Sequence, residues 1–150
     1  MPIQYGEMFE RLGVNGMGRQ GSGWCGINPS GVLVLMAHQN FFHRDANGNW
    51  YYDAPGDPRL PAISQSAARS IRMIAEYSAR AKEILLPVGI FRTDGRIHAN
   101  GAHEPADFQE ATGRVYKATI RSFDATTGSI VCDVTSYIET QPIGAERPRV

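Results

Sequence analysis

Trp24-Cys-Gly-Ile27, Asn28-Pro-Ser-Gly31 and Val32-Leu-Val-Leu-Met-Ala37 decide how the chain is read. The outer segments are apolar, and the tetrapeptide between them combines an asparagine that bonds its own backbone, a φ-fixing proline and a glycine, so the stretch predicts a hairpin. Val32 to Ala37 is apolar at every position instead of alternating. A run of that kind needs cover on both faces of a sheet. Polar groups crowd its two ends: Arg19, Gln20 and Ser22 lie upstream, and His38, Gln39, Asn40, His43 and Arg44 lie downstream. A buried strand with a chemically equipped loop at each end is a common way to build a site.

Working outward, Tyr5, Met8, Phe9 and Leu12 recur at helical spacing and predict a short N-terminal helix stopped by Gly13. Asn47-Gly48 ahead of Trp50-Tyr-Tyr52 predicts a second hairpin with a type I′ turn. Ala54 to Pro61 contains three prolines and reads as a loop. Ser64 or Ser66 can then cap a helix reaching about Lys82, with Ala67, Ile71, Ile74, Ser78 and Ala81 turned inward and Arg69, Arg72, Glu76 and Arg80 outward. Ile84 to Phe91 predicts a strand in which Pro87 demands an edge position or a bulge. Arg92 to Gly113 is polar and reads as a loop long enough to suggest a functional role. Val115 to Phe123, the turn Asp124 to Gly128, and Ile130 to Ile138 predict a last hairpin, with Val115, Lys117, Thr119, Arg121 and Phe123 sharing a face. The sum is an α+β fold: a curved or barrel-like, mostly antiparallel sheet of six or seven strands with a short N-terminal helix and one longer packed helix. One domain over 1–140 and a flexible tail over 141–150 follow.

The 150 residues suit a single domain able to remove roughly 70% of its unfolded surface from water. Fifteen basic residues balance fifteen acidic ones, so no global field draws the protein to nucleic acid or to an acidic membrane, and any polyanion contact must be a local patch. No apolar run approaches the roughly 20 residues of a membrane span, and no charged leader precedes one, which predicts a cytoplasmic protein without a membrane partner. Cys25 and Cys132 are too few for a disulfide framework and read as reduced core residues.

Gly16-Met-Gly18-Arg-Gln-Gly21 matches the spacing of a dinucleotide-binding loop, but a helix precedes it and no helix start follows, so no cofactor is expected. Its amides and Arg19 could instead form an anion-binding nest. The leading expectation is a small binding module that recognises a nucleic-acid base or a short stretch of DNA or RNA. Its binding residues would be Arg19, Gln20, Trp24, His38, Asn40, His43, Arg44, Trp50 and Tyr52, with Arg69, Arg72 and Arg80 as candidate phosphate contacts. A less favoured alternative is a small hydrolase or transferase. It would use Cys25, activated by His38 or His43, or the loop from His98 to Glu104. His98, His103, Glu104 and Asp107 offer metal-ligand atoms without a spacing that sets a geometry, so no metal is expected. A protein-protein interaction domain acting through a sheet edge is the third class.

Overall fold

The computed structural model describes residues 2–17 and 23–140. Helix α1 (Tyr5–Arg11) precedes strands β1 (Cys25–Ile27), β2 (Leu33–Leu35) and β3 (Ala37–His38), a 3-10 turn (Gln39–Phe41), and strands β4 (Phe42–Arg44) and β5 (Trp50–Ala54). Helices α2 (Leu60–Ile63) and α3 (Gln65–Ser78) follow, and then strands β6 (Glu83–Thr93), β7 (Asp107–Phe123) and β8 (Ile130–Glu139). All eight strands share one sheet in the order β1-β2-β6-β7-β8-β5-β4, with β3 also beside β6. Pairing is antiparallel except where β2 and β3 run parallel to β6. The α+β class and the mostly antiparallel sheet are as read from the sequence. The barrel is not: β1 and β4 end the sheet without meeting, so it stays open.

The apolar run from Val32 obtains cover on both faces. Leu33, Leu35 and Ala37 join Ile74 and Tyr77 of α3 in one buried cluster, while Val34 and Met36 join Met8 and Phe9 of α1 in another. Alternation along one strand therefore feeds two cores, one on each side of the sheet. Asn28 builds the turn before it, its side-chain oxygen accepting from the amides of Ser30 and Val32 at 3.0 Å each.

Pro87 explains why the run is split into β2 and β3. It stands in a central strand, not at an edge, and β6 pairs with Leu33 and Val34 before it and with Ala37 and His38 after it. With no N–H to give, proline interrupts the ladder, and Met36 turns its own amide to Trp24 O at 3.0 Å. The pairing with β7 also shifts register between Pro87 and Gly89, so the bulge reading of Pro87 is the one realised.

Other departures have local causes. The second hairpin is not type I′, because that turn needs positive φ at two residues and only Gly48, at 81°, has it. Asp45 instead holds a wider turn, its carboxylate accepting from Asn47 N and Asn49 N at 2.9 Å each. The loop read from Ala54 to Pro61 gives way at Leu60 to α2, whose first turn holds Pro61, where a missing N–H costs nothing. Ser64 caps α3 by accepting from Ala67 N at 3.2 Å, and the helix stops at Ser78, short of Lys82. The loop read from Arg92 to Gly113 shortens to 94–106, because Phe108 and Ala111 carry β7 back as far as Asp107. A register shift after Ile120 then brings Phe123 to the α3 side with Tyr116 and Ala118, against the alternation expected of it. Residues 141–150, read as a tail, lie outside the described residues.

Candidate functional site

A cavity of about 700 Å³ lies where the α3 side of the sheet meets the β5–α2 connection and the β6–β7 loop. Its wall is mostly apolar, with Tyr5, Trp24, Leu35, Phe41, Phe91, Phe108 and Ile130 among its members. Gly89 shapes that wall by having no side chain. A Cβ at this position would stand 3.0 Å from Phe91 Cε1 and Phe108 Cε2 and 3.1 Å from Met36 Sδ, all three lining residues.

One imidazole is set into this wall. His38 ends β3, and its backbone N–H donates to the Tyr52 hydroxyl at 3.0 Å. The ring stacks on Phe91 at 4.8 Å and leans on Phe41 at 4.6 Å, which fixes its plane. Nδ1 accepts from Asn40 N at 3.2 Å, so the ring proton resides on Nε2. Nε2 lies 2.7 Å from Asp94 Oδ1, but the carboxylate stands off the line of the N–H. The two groups are thus in close electrostatic contact while the buried N–H keeps no directed acceptor. Asp94 has a second neighbour, Arg96, at 3.8 Å. Burial pushes the Tyr52 phenol well above its usual range, so its O–H stays a donor while its oxygen accepts from His38.

Of the residues expected to bind, Trp24, His38 and Tyr52 reach the cavity wall. Asn40 acts one step back, through its amide on His38 Nδ1. His43, Arg44 and Trp50 do not join them. They stand exposed on the β4–β5 hairpin, His43 against Tyr51 and Arg44 over the Trp50 ring at 5.3 Å. Trp50 is 44% exposed, whereas its neighbour Tyr52 is 3% exposed. The two share a face of β5, and the contrast comes from position along it: Trp50 pairs only with Arg44 at the hairpin end, whereas Tyr52 pairs with Phe42 and with the buried Cys132. Arg69 and Arg72 lie on the exposed face of α3 and Arg80 just past its end, over the Tyr77 ring, and none lines the cavity. Arg19 and Gln20 lie outside the described residues, as does most of the glycine-rich loop.

The thiol alternative meets a buried sulfur. Cys25 points its sulfur at Ser70 O and Met73 Sδ, 3.8 and 3.7 Å away. Desolvation pushes its thiol up to about 12, far from a thiolate at neutral pH. Both cysteines are free and buried, as their reading as core residues required. In the 94–106 loop His98 and Glu104 form an exposed pair at 3.3 Å, while His103 turns to the cavity. Among the described residues no three His, Cys, Asp or Glu side chains cluster as a metal site would need.

Sequence reasoning missed Asp94, which it placed only within the polar loop from Arg92 to Gly113, and it missed Phe41, Phe91 and Phe108 as cavity walls. The length of the polar loop did point to this region. Comparison with protein-family models, with curated proteins and with solved structures returns no match, so the geometry carries the argument. No helix of the described residues is long and apolar enough to cross a membrane.

Proposed function

We propose that the protein binds a small, mostly apolar molecule in this cavity, with His38 gripping a hydrogen-bond-accepting group at its polar end. One observation carries the proposal: the buried Nε2–H of His38 has no directed acceptor, although the ring is fixed by two aromatic contacts and a backbone hydrogen bond. A buried N–H whose nearest carboxylate lies off its axis can still take a ligand oxygen, with Asp94 beside it as an acceptor. About 700 Å³ falls within the usual range for small-molecule sites, and an apolar wall with few convergent polar groups is their usual chemistry.

The nucleic-acid reading does not gain from the same geometry. It asks for a flat ring, Trp50 or Tyr52, and a positive group, Arg19, beside His38: Tyr52 is there but 3% exposed, Trp50 and the exposed arginines of α3 stand elsewhere, and Arg19 lies outside the described residues. A second reading, proton-transfer catalysis, is favoured by the Asp94 carboxylate at 2.7 Å from Nε2. His38 would donate to a ligand oxygen while Asp94 accepts a proton from the same molecule.

The experiment is titration with the neutral fluorophore N-phenyl-1-naphthylamine. Saturable one-to-one binding is expected, weakened by Ala67→Leu, which adds bulk to the wall, and unchanged by Trp50→Ala. Binding that ignores Ala67→Leu places the fluorophore outside the cavity and removes the proposal. Displacement of the fluorophore by a single-stranded oligonucleotide would restore the nucleic-acid reading.

A further inference from the structure

The cavity rim has one feature that ligand binding alone does not require. Arg59 is not a wall residue, yet it ties two wall segments together from their solvent side. Its Nε and Nη2 hold the Asp57 carboxylate at 3.1 and 2.9 Å. The same guanidinium crosses to the β6–β7 loop, where Nη1 donates to His98 O at 3.1 Å and Nη2 to Ile97 O at 3.2 Å. Asp57 and Ile97 both line the cavity, so the arginine spans the gap between its two lips.

The two lips are anchored differently. On one side Asp57 N donates to Thr127 O at 2.9 Å, and Gly56 packs so closely that a Cβ would come 2.2 Å from the same oxygen. That lip is seated on the β7–β8 turn. On the other side the 94–106 loop is held mainly by itself. His98 N bonds Ala102 O, Glu104 N bonds Arg96 O, and Thr93 closes the stem by donating to Pro105 O and accepting from Asp107 N. Such a loop can turn about its stem as one piece, because its internal bonds need not break. Among the described residues its polar contacts with the body are those of Arg59 outside and of Asp94 with His38 inside.

From this arrangement we infer that the β6–β7 loop is a hinged cover over the cavity, latched by Arg59, and that its closing brings Asp94 to His38. Opening releases the carbonyls of Ile97 and His98, swings the loop about Thr93 and Asp107, and takes the carboxylate away from the imidazole. Access and assembly of the His38–Asp94 pair are then one movement. The inference uses the cavity described above, and its test needs no ligand, so it can fail separately from the proposal that a ligand binds.

Ala67 is 1% exposed and lines the cavity, so Ala67→Cys places a thiol behind the cover. Its rate of reaction with 5,5′-dithiobis(2-nitrobenzoate) reads the open fraction. Arg59→Gln should raise that rate about tenfold if the latch holds the loop mostly shut, and Arg59→Lys, which keeps the charge but cannot span four contacts, should fall between. Cys25 and Cys132 are the internal control, since their modification, read by mass spectrometry, would report general unfolding and not loop opening. In the same variant the His38 ring resonances should move toward those of an Asp94→Asn protein. Rates within twofold of each other with Cys25 and Cys132 silent would overturn the latch. Faster labelling with unchanged His38 resonances would overturn its link to Asp94.

Discussion

Two glycine-to-alanine substitutions separate a wall that borders empty space from one that does not. At Gly26 a Cβ would stand 2.5 Å from Val14 Cγ1, inside the filled cluster of Met8, Phe9 and Val34. At Gly89 the contacts are 3.0, 3.0 and 3.1 Å, and the three groups met can each retreat into the cavity. Neither glycine has positive φ, so the comparison is one of space alone. Alanine gains about 0.4 to 1 kcal/mol by restricting the unfolded chain, against about 1 to 3 kcal/mol for overpacking. Gly26→Ala belongs at the upper end of that cost and should lose about 2 kcal/mol net, lowering Tm by roughly 4 to 8 °C for a domain of this size. Gly89→Ala belongs at the lower end, with the two terms nearly cancelling and Tm moving by no more than about 2 °C. Its rings move into the binding space instead, so affinity for N-phenyl-1-naphthylamine should drop about tenfold, the scale of one misplaced methylene. Gly26→Ala should leave affinity unchanged. Thermal melts and fluorescence titrations of the two variants decide the matter. A Gly89→Ala protein that melts as low as Gly26→Ala, or binds the fluorophore as wild type does, would refute the reasoning.

Ser64→Ala should cost about 0.5 to 2 kcal/mol in urea unfolding, since the side chain caps α3. Trp50→Ala should change stability by no more than about 1 kcal/mol in the same assay, because the ring is exposed and its cation–π contact with Arg44 lies at the surface. Stability should fall as pH rises from about 9 toward 12. Burial raises the Cys25 and Cys132 thiols from 9.0 to about 12 and raises the Tyr5 and Tyr52 phenols in the same direction, so the unfolded chain loses these protons first. Melts at pH 8, 10 and 11 check this, and Cys132→Ala should flatten the decline.

Much of the sheet was legible because its signals are local. The Asn28 turn, the continuous apolar run after it and the alternation after Val115 each specify structure within a dozen residues. So do Gly13, which ends α1, and Ser64, which starts α3. What failed was non-local. Whether Pro87 sat at an edge or in the centre depended on which strands flank β6, and one of those, β2, comes from far upstream. The extension of β7 to Asp107 depends on Phe108 packing near Tyr5 and on Ala111 N donating to Ile3 O, contacts no window around residue 107 contains. The site divides in the same way. His38 was legible as a polar group at the end of a buried strand. Asp94 and Phe91 were not, because they reach it through the pairing of β3 with β6.

That parallel pairing has a kinetic consequence. β6, β7 and β8 meet through hairpin connections and can assemble from neighbouring chain, whereas β2 and β3 must find β6 across everything from β4 to α3. Long loop closures are made late and slowly. The cavity takes His38 from the part expected to arrive late and Phe91 and Asp94 from the early one, so it should be completed only after that slow closure. A molecule that fills it should therefore leave the refolding rate untouched and slow unfolding alone.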